Sequence, residues 1–225
     1  MLNPEVSTAT TAPARNALPE LRRFSRLPPR VLMIGASTGG PQALARVLAD
    51  ATPWLPKLPV VVVLHIPPDF MPVVARSVAD SIKLPCRIAG NGEKLLAGHI
   101  YFAPGHLHLK LMRTGAQVVL VHSDTPPQNF CKPAVDVLFR SGAKSFGPEA
   151  LGLVLTGMGR DGLVGARAIA EAGGSMIVQD EASSAVWGMP DVVAREGLAS
   201  AILPLGQIAS AIGGLLASHQ RSKPA

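Results

Sequence analysis

The sequence predicts an α/β fold, a doubly wound three-layer α/β/α sandwich on a mostly parallel sheet. Three observations lead there. Short continuous runs of Val, Ile and Leu, of strand length, alternate with segments whose apolar residues recur at helical period. Hydrophobic residues make up 48% of the 225 and aromatic residues only 4%, which suits an Ala/Val/Leu-rich core. Gly 22 and Pro 21 punctuate the runs, as tight strand-to-helix turns require. A mean hydropathy of +0.30 gives ample apolar surface for one domain with tails and argues against a disordered or fibrous chain.

The elements follow in order. Residues 1–29 are Pro-, Ala- and Thr-rich and read as a linker-like tail with no face to bury. The body is expected over residues 30–217, and residues 218–225 form a short basic tail. VLMIGA (31–36) reads as a strand buried on both faces. Pro41 then opens a helix with Ala43, Leu44, Val47, Leu48 and Ala51 on one stripe; proline is tolerated at a first helical position because its missing N–H has no partner there anyway. PVVVVLH (59–65) is a second buried strand, and 71–82 a helix. Between 86 and 122, HIYFA, HLHLKLM and QVVLVH read as strands joined by turns, some antiparallel at a sheet edge. Beyond them come a helix over 134–146, a strand over 151–156 and a helix over 163–172. A strand over 176–179, a helix over 190–196, a strand over 200–203 and a helix over 207–217 complete the alternation, which implies parallel pairing.

The charge balance narrows the function classes. The net charge is +6, but residues 1–30 hold five Arg against two Glu, and Arg221 and Lys223 are unopposed at the other end. Residues 31–217 are left at +1, so the body is nearly neutral, with few aromatics for base stacking. No nucleic acid partner is expected. The first thirty residues have no apolar stretch of signal-peptide type. The apolar runs 60–66 and 201–217 are too short, or too broken by Pro204, Gly206 and Gln207, to span a bilayer. A cytoplasmic protein without membrane insertion is expected. Cys86 and Cys131 have no CxxC spacing and read as reduced thiols.

In doubly wound folds chemistry collects where strands end and helices begin, and three such junctions carry polar residues a core would not need. Gly35-Ala36-Ser37-Thr38-Gly39 is a G-x-S-x-G between a strand and a helix, the setting in which a turn pushes a serine hydroxyl above the sheet. The Thr38 N–H would face a developing oxyanion; the plainer reading is a capping serine. His65 ends the Val-rich strand before a Pro pair and could take the serine proton, or serve only as a loop residue. Asp161, in TGMGRDG, could orient the histidine. Gly157, Gly159 and Gly162 also spell G-x-G-x-x-G, with Asp180 beyond the next strand, so a dinucleotide-dependent oxidoreductase is a second reading; Asp161 before the last Gly tells against it. His106 and His108 share one face of an alternating run and read as a polar sheet face before a metal pair.

VLMIGASTGGPQAL, LHIPPDF, GHIYFAPG, KPAVDVLF, GLVLTGMGRDG and VQDEASSAVWGMP, in that order, closely resemble the catalytic domain of chemotaxis protein-glutamate methylesterases, the CheB family, over about residues 31–215. The resemblance implies hydrolysis of γ-glutamyl methyl esters on the cytoplasmic helices of methyl-accepting chemoreceptors, and in many members deamidation of receptor glutamines. It places the family's triad on Ser37, His65 and Asp161 and its oxyanion donors on the backbone of Thr38 and Met158, makes 185–190 a candidate substrate wall, and implies no cofactor and no metal. The receiver domain that regulates many members has no counterpart in residues 1–29, which contain no Asp, so phospho-control within this chain is not expected. A non-catalytic module that binds receptors or signalling partners is the third reading; it predicts the loss of a triad position, and none is lost.

Overall fold

The computed structural model describes residues 19–218. Seven parallel strands form one sheet in the order β3-β4-β2-β1-β7-β8-β9. They are β1 (Val31–Ala36), β2 (Val60–Leu64), β3 (Cys86–Ile88), β4 (Ile100–Phe102), β7 (Ala150–Val154), β8 (Ser175–Gln179) and β9 (Ala201–Leu203). Every residue of β1, β2, β7 and β8 is buried, because helices cover both faces and no alternation is needed. One face carries α1 (Gly40–Asp50), α2 (Met71–Ile82) and α6 (Leu205–Ser218); the other carries α3 (Val135–Phe146), α4 (Leu163–Glu171) and α5 (Met189–Arg195). The three-layer doubly wound architecture is the one the alternation predicts.

Two places differ from the sequence reading. The middle stretch divides in two: β3 and β4 join the main sheet in parallel, whereas β5 (His108–Thr114) and β6 (Gln117–Ser123) form a separate antiparallel hairpin. That hairpin packs its apolar side against α3 instead of extending the sheet edge. His106 and His108 are accordingly not a polar face. His106 precedes the strand, while His108 is fully buried, its Nε2 3.1 Å from the Pro126 carbonyl and its Nδ1 accepting the Ala134 N–H. Tail residues from 19 onward also lie against the body. The Arg22 N–H donates to the Ala199 carbonyl, its guanidinium to the Ala170 carbonyl, and the Ser25 N–H to Ser175 Oγ. Phe24 packs on the α1–α6 side. The polar composition of this stretch hid contacts made by its backbone.

Strand order places the junctions. From β1 the chain passes to β2, then to the edge strand β3 and back to β4 between them, before it crosses to the other side of β1 and winds outward through β7, β8 and β9. The topological switch therefore lies between β1 and β7. In register, Gly35 stands opposite both Val63 and Val154. The turns that leave β2, β1 and β7 thus open side by side at the carboxyl edge, where ligands enter such folds.

Candidate active site

Ser37 follows β1 directly, and its N–H donates to the Thr156 carbonyl beyond β7. Gly39, at φ +76°, caps α1 in a left-handed conformation that a side chain would strain. A Cβ on Gly157 would lie 2.8 Å from Ser37 Cβ and 2.6 Å from Met189 Sδ. Only glycine there lets the β7 loop close onto the serine turn. Thr156 ties the loops together, its hydroxyl donating to the Thr38 carbonyl and accepting from the Val186 N–H. Gly157 O accepts from the Gly188 and Met189 N–H groups, so residues 185–190 form a wall against this loop.

His65 follows β2, with its side chain 15% exposed. Its Nε2 is 2.9 Å from Asp161 Oδ2, with the oxygen off the ring N–H axis, so the contact is an ion pair more than an aligned hydrogen bond. Cys131 Sγ stands 3.8 Å from Nδ1. Burial works against a positive charge on the ring, but the Asp161 carboxylate and, after it, Cys131 more than offset this. The His65 pKa is pushed up to about 9.

Asp161, 2% exposed, is fixed from a third direction. Its Oδ2 accepts the Val135 N–H at 2.7 Å and its Oδ1 the Asp136 N–H at 3.0 Å. These are the first N–H groups of α3, which have no partner inside the helix, and the helix dipole favours an anion there. The carboxylate is therefore held in place before any substrate arrives.

The structure thus brings His65 and Asp161 into contact and sets Ser37 at the same edge on the neighbouring strand. Among the described residues, no hydrogen bond joins Ser37 Oγ to His65. Thr38 and Met158 flank the serine turn and, among the described residues, the N–H of neither has a hydrogen-bond partner. Met158 is 75% exposed, so its backbone stands at the surface of the site.

Comparison with known proteins settles the family. The family model for CheB methylesterase matches residues 32–212. The chain belongs to the CheB methylesterase family. It is 46% identical over 216 residues to a protein-glutamate methylesterase/protein-glutamine glutaminase of Bradyrhizobium diazoefficiens, covering 94% of this chain and 54% of that protein. A Trichodesmium erythraeum protein of the same name is 47% identical over 182 residues, which is 81% of this chain and 51% of that protein. The chain spans about half the length of such relatives. The crystal structure of the Thermotoga maritima CheB methylesterase catalytic domain superposes with a TM-score of 0.80 at 33% identity, covering 84% of this chain and all of that one.

Within this CheB-family chain, the glycine fingerprint at 157–162 has another use. The Gly162 and Gly165 N–H groups, at the start of α4, both donate to Asp136 Oδ1. A buried carboxylate thus stands where a pyrophosphate would have to sit. Asp180 is likewise occupied, accepting from the Ser183 N–H in a turn.

Three residues escaped the sequence reading. Asp136 caps α4 from inside α3, Asn129 Nδ2 donates to Asp136 Oδ2 at 2.8 Å, and the Gln128–Cys131 turn that Asn129 anchors delivers Cys131 to His65. A buried Asp in VDVLF was the available signal, because an acid within an apolar helical run needs partners. No pair of ligand-type residues on one element had metal spacing, yet His65, Cys131 and Asp161, from three loops, lie within 4.8 Å of one another.

Proposed function

We propose that this chain hydrolyses γ-glutamyl methyl esters on the cytoplasmic helices of chemoreceptors, leaving glutamate and releasing methanol. The single observation that carries this reading is the convergence of three strand-end junctions on the carboxyl edge of β2, β1 and β7, with His65 already paired to Asp161. Ser37 is the nucleophile. It attacks the ester carbonyl as its proton passes to Nδ1 of His65, and the imidazolium formed is stabilised by Asp161 at Nε2. The bond to the methoxy group then breaks, and His65 returns the proton to methanol. Water, deprotonated by the same imidazole, cleaves the glutamyl-Ser37 ester. The N–H groups of Thr38 and Met158, lacking other partners, hold the oxyanion.

Contact between Ser37 Oγ and Nδ1 is made in the reacting complex; such bonds often tighten only with substrate. A receptor glutamine takes the same route with ammonia as leaving group, and relatives carrying both activities in their names support this extension. Residues 30–217 are the catalytic unit and the work is cytoplasmic, where the receptor helices are. Among the described residues no helix is long and apolar enough to cross a membrane.

The test is methanol release from methylated receptor cytoplasmic fragments. Wild-type protein should release it, and Ser37→Ala should lose on the order of 10⁶-fold in turnover with an unchanged melting curve. Normal release by Ser37→Ala would end the proposal.

A further inference from the structure

We infer that His65 Nδ1 and Cys131 Sγ form a binding site for a borderline-soft divalent cation, with zinc the best match, and that occupation of this site silences the enzyme. The two atoms are 3.8 Å apart. With Zn–S near 2.3 Å and Zn–N near 2.0–2.1 Å, tetrahedral to trigonal angles place the two donors about 3.6–3.8 Å apart. The pair therefore stands at chelating distance without rearrangement.

Asp161 completes the design from outside the first coordination sphere. Both its oxygens already accept N–H groups of α3, and it faces the opposite ring nitrogen, Nε2. A carboxylate on one imidazole nitrogen with a metal on the other fixes the tautomer and raises ligand basicity. The other anchor is the short Gln128–Cys131 turn, closed by two backbone hydrogen bonds and pinned by Asn129 to Asp136. A cavity of about 300 Å³, lined by His65, Ile66, Phe130, Cys131 and Lys132, opens beside the pair and gives water room to fill the remaining positions. Lys132, the cation nearest this cavity, is neutralised by its ion pair with Asp124.

Chemistry sets the selectivity. One thiolate and one imidazole suit zinc and disfavour magnesium and calcium, which require oxygen ligands. On binding, the Cys131 S–H bond ionises and the His65 imidazolium gives up its Nδ1 proton; both protons leave to solvent, and the freed thiolate and Nδ1 lone pairs go to the cation. No electron changes hands. That lone pair is the one that must take the Ser37 proton, so inhibition rests on the proposed role of His65, whereas binding does not.

Cobalt(II) serves as the spectroscopic probe. Wild-type protein should develop a thiolate-to-cobalt charge-transfer band that zinc discharges. C131S should lack the band, and C131H should bind cobalt without it. Zinc should raise the melting temperature of the wild type and not that of C131S. In the methanol-release assay, zinc should inhibit reversibly to a chelator, magnesium should not, and half-inhibition of C131S should need at least tenfold more zinc. A band retained in C131S, which would implicate Cys86, overturns the inference. So does the absence of a band in the wild type, or equal zinc sensitivity of the two proteins. If no methanol is released by any protein, the function proposed above fails, while the cobalt band still decides the cation site.

Discussion

The proposed general base, His65, works only when neutral, so its pKa of about 9 sets the shape expected of the pH profile. The rate constant kcat/KM should climb about tenfold per pH unit from neutrality and level off near pH 9, after subtraction of the Ser37→Ala blank. A profile already flat at pH 7 would show that the pair does not hold the ring's proton. Stability runs the other way. A histidine raised from 6.5 to about 9 on folding contributes fully below pH 6.5, and that contribution, at most about 3 kcal/mol, fades as pH rises through 9. Thermal melts from pH 6 to pH 9.5 should therefore fall while activity rises. Asp161→Asn keeps an acceptor for α3 but loses the charge opposite Nε2, and should cost about 10⁴-fold in turnover; a loss under tenfold would reduce Asp161 to a helix cap. Ser37 and His65 could be singled out in the sequence because each follows an apolar strand directly, and Asp161 because it lies in a Gly-rich loop between a strand and a helix. Cys131 could not, since nothing in QNFCKP shows that a turn brings its sulfur to Nδ1.

At the level of elements, α3 and α4 exchange caps. Asp161, from the loop before α4, receives the first N–H groups of α3, and Asp136, from α3, receives the Gly162 and Gly165 N–H groups of α4. Neither helix has a side-chain cap on its own N-cap residue, so each depends on the other. Burial raises the pKa of Asp136, and its three hydrogen-bond donors offset much of that cost. Asp136→Ala should therefore strand two buried N–H groups and the Asn129 amide. The expected loss is about 3 kcal/mol, read as a lower urea midpoint. Asp136→Asn should be milder. A loss under about 1 kcal/mol for the alanine variant would show that the helices cap themselves. Periodicity located both helices within a residue or two, because their apolar stripes are clear. Their mutual dependence is invisible to periodicity, since it joins residues about 25 positions apart whose meeting is decided by the sheet.

For the molecule as a whole, strand alternation was enough to deduce the layers, but not where the hairpin and the tail would lie. β5 and β6 alternate like edge strands, and only the apolar surface of α3 decides that they fold over it. The tail contacts form at the amino ends of β8 and β9, through the Ala199 carbonyl and Ser175 Oγ, on the side of the sheet away from Ser37. Removing residues 1–28 should therefore lower stability by about 1–3 kcal/mol, the worth of a few hydrogen bonds and one half-buried ring. Turnover per folded molecule should stay within about threefold of the full chain. A tenfold rise would instead reveal an inhibitory segment, and the proof is a side-by-side melt and methanol assay of both forms.

Because Asp161 reaches His65 only across the β1–β7 pairing, their contact closes a loop of nearly a hundred residues. Bringing such distant segments together is entropically costly and delays the step that secures them. An unfinished copy, still lacking β7, owns a serine hydroxyl and a histidine of ordinary pKa near 6.5, and neither attacks an ester unaided. On the mechanism proposed above, ester hydrolysis therefore has to wait for the completed sheet.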